Sequence, residues 1–159
     1  MSAEQPYFSS APKAETNESQ EQLEYHINKY SNPSSLPDEE RSRLMLALNK
    51  IYNSPINEFP SEGGAVYTAE TSDSIIGYAI IYDESSFSKG AYLSHIAVDP
   101  QAQRNGVATS LLKEMQADVS EISLYNFPDN SDLDEKMAEL YARLGFEYQN
   151  NGSYHWKRP

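Results

Sequence analysis

Apolar and polar positions change period several times along this chain, and each change marks an element. Leu23, Tyr25 and Ile27 alternate with Glu24, His26 and Asn28, which predicts a half-buried strand over Gln22 to Tyr30. Ser31-Asn-Pro-Ser-Ser is a turn. Pro37 suits a first helical turn, and Asp38, Glu39 and Glu40 suit its positive end. Leu44, Leu48 and Tyr52, with Met45 and Ile51, then form the face of a helix ending near Asn53. The loop from Ser54 to Gly64 follows; its Glu58, Phe59 and Glu62 either rim a cleft or lie in solvent. Ala65 to Thr71 and Ser74 to Tyr82 read as a hairpin, and the nearly continuous apolar run Ile75 to Ile81 belongs in the middle of a sheet.

A central strand follows at Tyr92 to Val98, stopped by Asp99-Pro100. After a polar loop, Val107, Leu111, Met115 and Val119 fall four apart, with Ala108 and Leu112 widening the same helical face. Glu121 to Phe127 is a further strand. Leu133, Met137, Leu140, Tyr141 and Leu144 are spaced as a helix that Gly145 would cap, and a hairpin around Asn150-Asn-Gly152 ends the chain. The order is β, α, β, β, β, α, β, α, β, β. It predicts an α/β domain with a mixed sheet and helices on both faces.

Composition narrows the function. At 159 residues the chain makes one domain, taken as residues 21–159, after a polar, flexible tail over residues 1–20. No apolar run approaches a membrane span, and the N-terminus lacks the pattern of a secretory signal, so a cytoplasmic location is expected. The absence of cysteine excludes disulfides, thiolate metal sites and a cysteine nucleophile. The three histidines show no metal-ligand spacing. A net charge of −12 argues against nucleic acid and anionic lipid as partners; it is compatible with a cationic substrate, or serves solubility alone.

The stretch Gln103-Arg104-Asn105-Gly106-Val107-Ala108 carries the clearest chemistry. It joins a strand to a helix whose first amides lack intrahelical partners and bear the positive end of the dipole. A loop wrapping such amides around an anion is a pyrophosphate site. Gly106 permits positive φ and close approach, Ala108 is small, and Arg104 can add a charge-assisted contact. An ordinary strand-to-helix turn is the alternative reading of the same hexapeptide.

Ile96-Ala-Val-Asp-Pro100 followed by Gln103-x-x-Gly-x-Ala108 resembles the acetyl-coenzyme A motif of the GCN5-related N-acetyltransferase (GNAT) family. Leu140-Tyr-Ala-Arg-Leu-Gly-Phe146 is similar to that family's second motif. The resemblance covers residues 63–157 firmly and 21–62 loosely. It implies a mostly antiparallel sheet of six to seven strands with helices on both faces. It also implies an enzyme that moves an acetyl group from acetyl-coenzyme A, as co-substrate, directly to a primary amine. The amine belongs to a small molecule, a peptide N-terminus or a lysine, and the enzyme is a monomer or homodimer.

By the same resemblance, the cofactor arm pairs with backbone around Ile96, Ala97 and Val98, and Gln103, Arg104, Asn105, Gly106, Val107, Ala108 and Thr109 hold the pyrophosphate. An N–H at Ile96 or Ala97 polarises the carbonyl, and Tyr141 is the general acid. A phenol suits that role because its pKa of about 10 lies near that of a thiol. Tyr141 also belongs to the apolar stripe, so a core role competes. Relatives carry asparagine where this chain has Asp134, which can accept but not donate as an amide does. The glutamate base common among relatives has no obvious counterpart on the central strand. His95 is the candidate base or relay, against a structural histidine or an ordered water chain. Tyr92 and Tyr125 are candidates for substrate contact. The missing carboxylate and Asp134 leave one rival, an acyl-coenzyme A-binding module that has lost catalysis.

Overall fold

The computed structural model describes residues 23–51, 56–60, 62–83, 90–125, 131–149 and 152–159. The expected tail over residues 1–20 and the side chain of Asp134 lie outside the described residues. The elements follow the predicted order: β1 (His26–Ser31), α1 (Asp38–Asn49), β2 (Ala65–Glu70), β3 (Ile75–Asp83), β4 (Ala91–Val98), α2 (Val107–Asp118), β5 (Glu121–Tyr125), α3 (Ser131–Arg143), β6 (Glu147–Tyr148) and β7 (Ser153–Lys157). Among the described residues seven strands form one sheet, ordered β1-β2-β3-β4-β5-β7-β6. Neighbours are antiparallel except β4 and β5, which run parallel.

Where boundaries differ from expectation, the partner strand explains it. β1 begins at His26 because His26 pairs with Glu70, the last residue of β2, so the alternating Leu23 and Tyr25 extend past the ladder. β5 is described as far as Tyr125, opposite Ser153 of β7, and Phe127, the expected end of that strand, lies outside the described residues. Pro37 stands just before α1, in extended conformation, and Asp38, Glu39 and Glu40 fill the first turn.

Two cores flank the sheet. On one face Leu44 and Leu48 of α1, with Ile56 and Phe59, pack on Val66, Tyr78 and Ile80. Phe59 is therefore a core residue rather than part of a cleft rim. On the other face Val107, Leu111, Leu112 and Met115 of α2 and Leu140 and Tyr141 of α3 pack on Tyr67, Ala79, Leu93, Ile122 and Leu124. Each fully buried Leu or Ile contributes about 1.5–3 kcal/mol relative to exposure, so these stripes hold the helices to the sheet. Gly77 lets α2 start close to the strands: a Cβ there would stand 2.9 Å from Val107 Cγ1 and 3.2 Å from the Ala97 carbonyl. That contact sets the N-terminus of α2 beside the end of β4.

Candidate functional site

The sheet opens between β4 and β5. Among the described residues their ladder joins Ala91 to Ile122, Tyr92 to Ser123 and Leu93 to Leu124, and goes no further. β4 runs on to Val98, held along its other edge by β3 as far as Val98 opposite Gly77. Among the described residues the backbone from Ser94 to Val98 has no strand partner on the β5 side, which leaves an opening there.

A bulge lies at the opening. Ile80 pairs with His95 and Ile81 with Leu93, so Ser94 is the extra residue on β4. The bulge reverses the alternation. Leu93, Ile96 and Val98 face α2, whereas His95 and Ala97 face the α1 side. The Ser94 hydroxyl donates to the Ile80 carbonyl at 3.3 Å and lies 2.9 Å from His95 Nδ1. The shorter contact joins Ser94 to His95, with donor and acceptor set by the imidazole tautomer. Half-burial holds the His95 pKa below its ordinary value, so the imidazole is neutral near pH 7.

Beyond β4 the chain turns through Pro100–Ala102, with Asp99 Oδ1 accepting from the Gln101 amide at 2.9 Å. Arg104 and Gly106 both adopt left-handed backbone, with φ 71 and 76. Gly106 is the N-cap of α2 and supplies no side-chain cap, so the first amides of the helix face forward without one. Gln103 Nε2 donates to the Val98 carbonyl at 3.3 Å, and Asn105 Nδ2 to the Ala102 carbonyl at 3.0 Å. These two side chains therefore brace the loop. Arg104 is exposed, Val107 is buried as an anchor, and Ala108 and Thr109 are half-buried. An α2 start of this kind, with a small N-cap, two left-handed residues and an arginine, fits an anionic pyrophosphate.

Tyr141 sits on the α2 face, only 3% exposed. Its ring packs between Phe146 and Tyr154, with centroids 5.5 and 5.2 Å away. Burial raises its pKa, and the neighbouring Tyr154 adds to the rise. On the opposite face, Tyr92 and Tyr125 come together at 6.2 Å between centroids. They line a groove of about 510 Å³ with Ser123, Ser153 and His155. His155 Nε2 lies 3.0 Å from Glu121 Oε1. The fold therefore brings the loop residues 103–109 together, and Tyr92 together with Tyr125. His95 and Tyr141 lie on opposite faces of the sheet.

Sequence reasoning missed Ser123, Ser153 and His155 as groove residues. The signal was the polar half of the alternation along β5 and β7, whose apolar half, Ile122, Leu124, Tyr154 and Trp156, enters the core.

The fold is thus an α/β sheet parted between two parallel strands, with a helix starting at the parting. Residues 62–148, over half of the chain, match the model of the acetyltransferase (GNAT) domain, and the chain belongs to that family. No curated protein matches the sequence. Solved structures share the fold at low identity. YhhK from E. coli, assigned as an N-acetyl transferase and bound to coenzyme A in its solution structure, superposes with a TM-score of 0.63 at 17% identity. That match covers 85% of this chain and 99% of the other. The ribosomal-protein-S18-alanine N-acetyltransferase of Escherichia coli gives 0.57 at 17% identity, covering 83% and 94%. The IAA acetyltransferase of Bacillus cereus gives 0.54 at 16%, covering 84% and 99%. Among the described residues no helix is long and apolar enough to cross a membrane.

Proposed function

We propose that this chain transfers an acetyl group from acetyl-coenzyme A to a primary amine in a ternary complex. The observation that carries the reading is the opening between β4 and β5 with the uncapped start of α2 at its end. The coenzyme A bound to YhhK supports the donor. On this reading the amides of Gly106, Val107, Ala108 and Thr109, with Arg104, hold the pyrophosphate. The arm runs along Val98, Ala97 and Ile96 into the opening. A backbone N–H at Ile96 or Ala97 faces the developing oxyanion.

The acceptor amine comes from the α1 side, past Tyr92 and Tyr125. Its nitrogen attacks the thioester carbon, the C–N bond forms and the C–S bond breaks. The proton leaving nitrogen goes to neutral His95, and the sulfur takes one from Tyr141. Burial raises the Tyr141 phenol above its ordinary value, which keeps it protonated, as an acid must be before transfer. A cationic acceptor accords with the charge of −12 and with the tyrosine faces of the groove. The rival reading, a binding module without turnover, draws on the groove itself, where no carboxylate appears among the described lining residues.

Calorimetric titration of the purified chain with acetyl-coenzyme A tests the donor. Wild-type binding that is lost in an Arg104→Ala, Gly106→Asp variant supports the loop assignment, and an amine panel read by thiol release then separates enzyme from module. A folded wild type that does not bind acetyl-coenzyme A sinks both readings.

A further inference from the structure

Tyr25 lies far from the loop in sequence and next to it in space. It belongs to the stretch leading into the edge strand β1, and with Leu23 and Ile27 it packs against the core under α2. Its hydroxyl arrives at the start of α2, 2.8 Å from Ser110 Oγ and 3.4 Å from the Asn105 carbonyl. A Cβ on Gly106 would have the Tyr25 oxygen 4.0 Å away, with no other described atom as near, chain neighbours aside. The hydroxyl thus stands at the rim of the helix start, in front of the left-handed glycine, without filling the space over it.

Resting on the acetyl-coenzyme A reading above, we infer that Tyr25 is a pyrophosphate ligand, oriented by Ser110. The pair has two hydroxyl protons. When Ser110 donates to the Tyr25 oxygen, the tyrosine proton is left for a third group. In the free chain that group is the Asn105 carbonyl at 3.4 Å, which is beyond the usual range for an O–H donor. A phosphate oxygen held by the neighbouring amides is a better acceptor, since a hydrogen bond to an ionised group is shorter and about twice as strong. Rotation about the C–O bond redirects the proton, and the ring stays in its packing. The stretch before β1 thereby contributes directly to donor recognition.

The test uses the full chain and two donors: acetyl-coenzyme A, followed by calorimetry, and acetyl-pantetheine, which lacks the pyrophosphate, followed by NMR titration. Tyr25→Phe keeps the ring and is expected to weaken acetyl-coenzyme A binding about tenfold, the loss of one charge-assisted hydrogen bond. Acetyl-pantetheine affinity is expected to stay within about twofold, because the lost bond is to the pyrophosphate. Ser110→Ala, a second variant at lower risk to folding, is expected to show the same selectivity with a smaller loss. Tyr25→Phe binding acetyl-coenzyme A as tightly as wild type overturns the inference, as does an equal loss for both donors, which would mark a general loosening. Wild type failing to bind acetyl-coenzyme A overturns the donor reading itself, and the inference with it.

Discussion

Gly106 offers a test in which the sign of the effect, more than its size, decides. Its φ is 76, in the region where an L-residue costs about 1–2 kcal/mol. Space is not the constraint, because among the described residues a Cβ would meet nothing closer than the Tyr25 oxygen at 4.0 Å, chain neighbours aside. Gly106→Ala should therefore destabilise by the backbone term alone, about 1–2 kcal/mol. For a chain of this length that is a fall in Tm of roughly 2–8 °C. Were Gly106 at an ordinary negative φ, the same substitution would stabilise by about 0.4–1 kcal/mol, through the entropy of the unfolded chain. Gly106→Asn is the control, since asparagine tolerates the left-handed region and should lose about half as much. Urea denaturation of the three proteins, with scanning calorimetry, measures the differences. A variant Gly106→Ala as stable as wild type, or more so, would refute the left-handed cap and the amide cradle built on it. The strain is relieved when the loop turns its amides away, so the alanine variant should also bind acetyl-coenzyme A more weakly than its fold loss explains.

Three further outcomes follow from the same geometry. His95 has its pKa lowered by burial, so the unfolded chain takes the proton first. Stability should fall as pH drops below about 6.5, activity should fall along an acid limb lying below that value, and His95→Gln should flatten both profiles; a limb unchanged in the variant excludes the base. Tyr141→Phe should lower kcat by roughly 10²–10⁴-fold at nearly unchanged acetyl-coenzyme A affinity, whereas full turnover would leave Tyr141 as a core residue only. Tyr67 is fully buried and its hydroxyl donates to Asp118 at 2.7 Å, with Lys29 Nζ 3.2 Å from the same oxygen. Burial alone would raise the Asp118 pKa, but these two donors outweigh it and hold the carboxyl below its ordinary range. That stability is present above the unfolded pKa and lost as pH falls through the folded one. Tyr67→Phe should cost about 1.5–3 kcal/mol near pH 7 and less in acid, as denaturation at two pH values would show.

Local pattern was enough for the element list. Strand and helix periods, the turn residues and the two family motifs are short-range signals, and they reach the order, the boundaries to within a few residues and the loop at 103–109. They also marked Tyr92, His95, Tyr125 and Tyr141 as the residues to examine. What they could not reach depends on contacts between distant segments. The Ser94 bulge turns His95 toward the α1 side, and it exists only in the register of β4 against β3. A period of two cannot reveal it, because one inserted residue exchanges every face that follows. Among the described residues the ladder of β4 and β5 stops at Leu93 and Leu124, and that opening is a property of two strands rather than of either one. Tyr25 reads in sequence as one more apolar position in an edge strand. Only the fold, by carrying α2 across the sheet, brings its hydroxyl to Ser110 at the mouth of the loop.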